Sequence, residues 1–345
     1  MIEYNELLNE MIFTKLSYIV SFRLFLFIII IFILSILIDV IFGELPGRIH
    51  PVVIIGSLIS FFKGMFIKIR SRISGLFLIV CVVAISMLIL YVIYMICSFN
   101  LVISTIVFSI LLSSTYSVNM LLQTAVDVKN DLDEDIDKAR KSVSYLVSRN
   151  TEELTESFIV SAVIESLTEN ITDSYVAPFL YYFAAGLLLL YLPSNNPIYL
   201  LLLVPFVYRI FNTMDAMVGY ETDELKDIGF MPAKIDDILN YVPSRLAGIF
   251  VVISSYLLNL NWKNSYRIMR RDARNCPSPN SGFTMASTAG ALDIQLIKKG
   301  TYILGDDNKD INADDIAKAV SLSKLTIILF SVTVIVLFIL IYVIL

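Results

Sequence analysis

The feature that most constrains this chain is a series of long apolar stretches parted by short polar breaks. Roughly 20 apolar residues in a row cross the hydrocarbon core of a bilayer as a helix. Inside lipid, every backbone N–H and C=O must find a partner within the protein, which favours helices. Six stretches qualify: 24–42, 76–97, 100–120, 176–193, 197–218 and 325–345. Two more, 51–62 and 246–260, are short for a crossing and read as re-entrant or interfacial helices. Composition agrees, since 57% of the 345 residues are hydrophobic and only 17% are charged, too few to coat a soluble surface. The expectation is an all-α, polytopic helical membrane protein.

Basic residues set the expected sidedness. Lys63, Lys68, Arg70 and Arg72 stand together without an acid, and Lys263, Arg267, Arg270, Arg271 and Arg274 face only Asp272. Both groups belong on the cytoplasmic side. If 246–260 does not cross, the segments 121–175, 219–245 and 261–324 join them there as helical layers, and the tight linkers at 98–100 and 193–196 lie outside. Within 127–147, Leu132, Ile136, Ala139, Val143 and Leu146 recur at helical spacing and predict one amphipathic helix. Asn312 or Asp314 is the expected cap of a helix leading into the last span. Residues 1–23 read as an extension, not a signal peptide, because acids precede the first apolar run and no cleavage pattern follows it. Residues 24–345 read as one integral membrane catalytic domain.

Several function classes drop out. A net charge of −5 gives nucleic acid nothing to bind. The single histidine, His50, rules out a multi-histidine metal site, and the three cysteines have neither zinc nor disulfide spacing. No phosphate-binding glycine loop of the familiar kinds occurs.

Five polar constellations remain. Asp39 ends the first apolar run ahead of Gly43, Pro46, His50 and Pro51. An ionisable residue there is a functional candidate; the plainer alternative is that Asp39 reaches the interface and His50 caps the next helix. Glu165, Glu169, Asn170 and Asp173 form the second group, with the three acids on one helix face. Like charges at that spacing repel unless a cation compensates them, and hard oxygens suit Mg²⁺. The third is Asn212-Thr-Met-Asp215 ending at Gly219-Tyr220, where Asp215 either helps bind a cation or locks onto Arg209. The fourth is Asp236-Asp237 with Asn240 and Arg245, an arginine fit for phosphate or for anchoring at the interface. The fifth runs from Arg271 through Ser278-Pro-Asn280-Ser-Gly282, a turn with backbone N–H groups suited to phosphate, followed by the small residues 285–291 suited to close helix packing.

In this order the blocks resemble the adenosylcobinamide-phosphate synthase family (cobinamide synthase, CobD/CbiB). They are D-x-x-x-G-x-x-P-x-x-x-H-P-V at 39–52, E-S-x-x-E-N-x-x-D-x-x-x-A-P at 165–178, N-T-x-D-A-M-V-G-Y at 212–220, D-D-I-L-N-x-x-P-x-R-L at 236–246 and S-P-N-x-G at 278–282. The resemblance implies a C–N ligase of cobalamin biosynthesis in the cell membrane, its motifs facing the cytoplasm. Such a ligase joins a carboxylate of adenosylcobyric acid to the amine of aminopropanol phosphate, using ATP and Mg²⁺. Its partners would be those substrates, the lipid bilayer and other membrane enzymes of cobalamin assembly. On that footing Asp39, His50, Glu165, Glu169 and Asp215 are the candidate catalytic residues. Asn170, Asn212, Arg245, Arg271, Ser278 and Asn280 are candidate substrate and phosphate contacts, and Glu165, Glu169, Asp173, Asp215, Asp236 and Asp237 candidate metal ligands. Two positions depart from the family pattern: Cys276-Pro277 replaces a histidine before S-P-N, and Asn150 replaces an aspartate after Arg149.

Two other classes compete. A Mg²⁺-dependent intramembrane prenyltransferase would need a second D-x-x-x-D-like cluster, which N-T-x-D-x-x-x-G lacks. A transporter would carry charges at mid-membrane and broken helices, whereas these acids sit at span ends.

Overall fold

A computed structural model describes residues 2–147, 149–191, 198–220 and 222–344, with 2–20 as helical backbone only. The linker expected at 193–196 lies outside the described residues. Helix α1 (Ile2–Phe42) contains the first span, Ser21–Phe42. Helix α2 (Pro51–Phe66) follows and a tight turn carries it to Ile69, so it is longer than the 51–62 expected. Next come α3 (Arg72–Cys97), α4 (Leu101–Ser113), α5 (Val118–Glu134) and α6 (Ile136–Val143). Helix α7 (Glu156–Ile171) passes through a wide π turn, Thr172–Val176, into α8 (Ala177–Tyr191). Helix α9 (Leu200–Val218) precedes α10 (Phe230–Leu239) and α11 (Tyr241–Leu257), which meet at a bend of 47°. Then α12 (Trp262–Asp272), α13 (Gly282–Leu292) and a hairpin of β1 (Leu296–Lys298) with β2 (Tyr302–Leu304) lead to α14 (Ala313–Ile344).

Among the described residues, seven helical stretches are long and apolar enough to cross a membrane, or up to eight if the bent pair α10–α11 counts as one. The architecture is therefore that of a polytopic helical membrane protein. Lipid-facing stripes confirm it at the level of side chains. Leu26, Ile30, Ile33 and Leu37 are exposed on α1, and Ile328, Val332, Val336 and Leu340 on α14. Spacings of three and four put each set on one helix face, and exposed apolar side chains at that density need lipid against them.

The chain's capping residues explain where the helices begin. Asn100 Oδ1 accepts from the N–H groups of Val102 and Ile103 at 2.9 and 3.2 Å, starting α4. Asn312 Oδ1 accepts from Asp314 N–H at 3.1 Å and starts α14, as expected. The single helix expected over 127–147 is instead two. Asp135 is extended (φ −159°, ψ 127°) and caps α6 by accepting from Asp137 N–H, so a local side-chain bond competes with helix continuity there.

Two apolar clusters hold the fold. In the first, Phe32, Phe179, Phe183, Phe330 and Phe338 interlock α1, α8 and α14. In the second, small residues such as Ala125, Ala139, Ala289 and Ala319 join Val128, Val143, Ile159 and Ile316 to pack α5, α6, α7, α13 and the start of α14. Close approach defines that layer: a Cβ on Gly290 would stand 2.6 Å from the Asn264 carbonyl, so α12 and α13 touch at backbone distance. The small-residue run therefore packs helices as expected. Helix α7–α8 belongs to both clusters, and the candidate acids sit along it where the two meet.

Candidate active site

The ends of four elements converge at this level. Ser117 N–H donates to the Ser174 carbonyl at 3.2 Å, and Arg209 Nη1 donates to the Asp173 carbonyl at 3.3 Å. Asp39, 3% exposed, accepts from Asn119 N–H at 3.2 Å. It thus supplies a negative charge to the N-terminus of α5, where Ser117 makes no side-chain cap of its own. His50 caps α2: its Nδ1 accepts from Val52 N–H at 3.2 Å, Pro51 fills the first helical position, and Nε2 lies 3.4 Å from Glu44. Burial, followed by the smaller effect of Arg209, lowers the His50 pKa against the opposing pull of Glu44, favouring the neutral ring that can accept this bond. Asp39 and His50, expected as catalytic, therefore have definite capping work.

The three acids Glu165, Glu169 and Asp173 do not act as one face. Glu165 is 2% exposed and saturated: Ser161 Oγ donates at 2.7 Å, Arg149 at 2.6 Å and the Tyr302 hydroxyl at 2.8 Å. Burial first, and Glu165 second, raise the Tyr302 pKa well above the usual tyrosine range, which keeps it a donor. Within the π turn, Asp173 belongs to a different group, hydrogen-bonded to Asn212. Asn212 is also 3.5 Å from Asp236, whose other oxygen accepts from Asn240 at 3.0 Å, and Asn240 accepts from the Tyr208 hydroxyl at 2.9 Å. Glu169 lies between the groups, within electrostatic reach of Lys298, Glu165, Asp215 and Arg149.

Asp215 does not lock onto Arg209 as one reading allowed. Arg209 Nη1 donates to Asn212 at 3.0 Å, while its Nε is buried with no partner among the described residues. Instead the Asp215 carboxylate folds over the next turn, where a Cβ on Gly219 would stand 2.1 Å from Oδ1. That explains the glycine of N-T-x-D-A-M-V-G-Y. Its charged neighbours include Asp237, which lies 3.6 Å from Lys234.

The phosphate candidates divide. Arg245 reaches the 278–282 turn, donating to Asn280 Oδ1 at 2.9 Å and to the Pro279 carbonyl at 3.3 Å, with its guanidinium 3.5 Å from the Tyr241 ring centre. Asn280, 5% exposed, completes the staple by donating to the Asp237 carbonyl at 2.8 Å, and Ser278 Oγ accepts from Asn280 N–H. Arg271 stands apart. It bonds Asp272 at 2.6 and 2.7 Å and Asp306 at 2.6 Å, partners that raise its pKa in that order, while Arg271 lowers that of Asp306. Cys276, at the family's histidine position, is buried, and burial above all pushes its thiol up to about 12. It stays protonated at neutral pH and cannot do an imidazole's proton transfer.

A cavity of about 300 Å³ opens beside Glu165, lined by Arg149, Glu169, Asn170, Lys298 and Tyr302 among others. Lys298 and Tyr302 were not singled out from the sequence, and Arg149 only as the residue before the Asn150 departure. A signal existed: Leu-Ile-Lys-Lys-Gly-Thr-Tyr-Ile-Leu at 296–304 has the β-rich flanks and central glycine of a short hairpin, and Gly300 takes φ +73°. Among the described residues the side chains of Glu169 and Asp215 form no hydrogen bond or ion pair, and no three acids or other ligating side chains gather closely enough to hold a metal unaided.

Known proteins place this arrangement. The family model described as CobD/Cbib protein matches residues 32–323. The probable cobalamin biosynthesis protein CobD of Methanothermobacter thermautotrophicus is 45% identical over 87% of this chain and 95% of its own length. Its counterpart in Methanococcus aeolicus is 39% identical over 80% and 87%, and the cobalamin biosynthesis protein CobD of Clostridium perfringens 33% identical over 83% and 90%. No solved structure matches the chain. With a family model spanning most of its residues and relatives aligned along most of their length, the chain belongs to the CobD/Cbib protein family of cobalamin biosynthesis.

Proposed function

We propose that the chain is an adenosylcobinamide-phosphate synthase, joining a carboxylate of adenosylcobyric acid to the amine of aminopropanol phosphate at the expense of ATP. The observation that carries this reading is the juxtaposition of two unpartnered carboxylates, Glu169 and Asp215, with the cations Arg149 and Lys298 at and beside one polar cavity. Amide formation from a free carboxylate in water is uphill, so it must be coupled. The substrate carboxylate takes the terminal phosphoryl group of ATP, and ADP departs. The amine nitrogen then attacks the acyl carbon, phosphate leaves, and the nitrogen sheds a proton to Glu169, the free carboxylate of the cavity lining.

Donor chemistry fits Mg²⁺. The ligands on offer are hard oxygens, and Mg²⁺ is usually held by one or two carboxylates, with substrate phosphates and water completing its shell. Asp215 would hold it, since Glu165, Asp173 and Asp236 already accept hydrogen bonds from neighbours and Glu169 is left for the amine. Bound there, the ion would offset the charge on the transferring phosphoryl group. Arg149 and Lys298 attract the anionic substrates, and the Arg245–Asn280 staple holds α11 against the 278–282 turn.

We place these groups at the cytoplasmic face of the cell membrane, from the basic residues of 63–72 and 263–274. Purified protein in detergent should convert adenosylcobyric acid, aminopropanol phosphate and ATP to adenosylcobinamide phosphate. Nucleotide should be consumed in proportion to product, and leaving out Mg²⁺ should stop the reaction. Folded protein that makes no amide with any nucleoside triphosphate, yet transfers a prenyl group or moves a solute, overturns this reading.

A further inference from the structure

We infer that the cavity beneath the β1–β2 hairpin is the subsite for the small phosphorylated amine. Arg149 and Lys298 hold its phosphate, and Glu169 with Asn170 holds its amino end. This rests on the reading above and assigns one of its three substrates to named side chains. At about 300 Å³ the cavity is at the small end of ligand sites, which suits a compact molecule and excludes a corrinoid. Its lining carries both signs of charge. Arg149, from the loop after α6, and Lys298, from the hairpin, are the cations of the lining, and Glu169 is its free carboxylate. A ligand bearing both a dianion and an ammonium matches a lining that carries charges of both signs.

Arg149 is prepared for an anion. One nitrogen is fixed by the buried Glu165 at 2.6 Å, and Glu165 is itself fixed by Ser161 and Tyr302. Its Nε is buried with no acceptor among the described residues. That nitrogen is closed off from the cavity, so an anion there would meet Nη1, which Glu165 does not hold. Lys298 makes no ion pair among the described residues, and its Nζ lies 5.9 Å from the Tyr302 ring centre. Asn170 donates its amide to the Ser166 carbonyl at 2.8 Å, which leaves Oδ1 as an acceptor. The hairpin therefore acts as a specificity device: Lys298 selects for phosphate, while its neighbour Lys299 sits 4.2 Å over the Phe158 ring and outside the cavity lining.

The test measures aminopropanol phosphate binding by calorimetry without ATP, alongside steady-state kinetics. The wild-type protein should bind it at least about tenfold more tightly than unphosphorylated aminopropanol. Lys298→Met should erase that preference and raise the KM for aminopropanol phosphate about tenfold or more, with the KM for ATP unchanged. Lys299→Met should leave both at wild-type values. Arg149→Lys keeps a charge beside Glu165 and should weaken binding while the protein stays folded. Phosphate preference intact in Lys298→Met, or a change in the ATP KM alone, overturns the assignment. Lys298-dependent binding by a protein that forms no amide would sustain the subsite and sink the ligase reading instead.

Discussion

Glu165 and Asp215 are both acids of the shared motifs, yet their surroundings are opposite. Glu165 has three donors and almost no exposure. Asp215 has no hydrogen-bonding side chain among the described residues, lies over a glycine, and has Asp237 as a charged neighbour. The Glu165 region is therefore complete by itself: its carboxylate ties α7, the 149 loop and the hairpin into one unit. The Asp215 region is less complete: among the described residues Lys234 pairs with Asp237, and no cation pairs with Asp215 itself. On the proposed function, a motif acid whose partners are all present organises the site, and one without them is left for a ligand.

The largest expected effect comes from opening the complete region. Arg149→Ala leaves Glu165 buried without its cation, and breaking such a pair costs about 3–5 kcal/mol. Thermal unfolding in detergent should show a large drop in midpoint, whereas Glu165→Gln, which removes the charge along with the mismatch, should lose less. Equal losses in Arg149→Ala and Glu165→Gln would mean that the charge is not what holds this region.

Second in size is the effect of neutralising the incomplete region. Asp215→Asn should cut turnover by about a hundredfold with a wild-type melting midpoint, because no folded-state partner is lost. The Mg²⁺ concentration needed for half-maximal rate should rise with it. A collapsed midpoint with normal turnover per folded molecule would move Asp215 into the structural class beside Glu165.

The contrast was only half legible in the sequence. The spans could be read because long apolar runs have one physical solution in lipid, and the acids stood out because ionisable residues beside such runs need a reason. The sharing of work among the acids could not be read. Equal spacing put Glu165, Glu169 and Asp173 on one face, but the π turn at Thr172–Val176 and the partners Arg149 and Tyr302 separate them. Those partners are remote in sequence, so no local pattern announces them. Asp39 shows the same limit: its role depends on the N-terminus of α5, 80 positions away.

The smallest expected effect separates capping from catalysis at His50. Its Nδ1 lone pair accepts from Val52 N–H, a bond that protonation removes, and burial lowers its folded pKa below the usual value near 6.5. The unfolded chain thus takes up a proton more readily than the folded one. Stability should be full above about pH 6.5, fall as pH drops below that value, and level off once the folded ring is also protonated. His50→Ala should cost about 1 kcal/mol, the usual worth of a cap, and should remove this pH dependence. His50→Asn replaces one good capping acceptor with another, so it should retain most of the stability, lose the pH dependence and retain turnover. A folded His50→Asn protein without turnover would show that the imidazole does chemistry beyond its cap, and would move His50 from the complete region to the one that awaits a ligand.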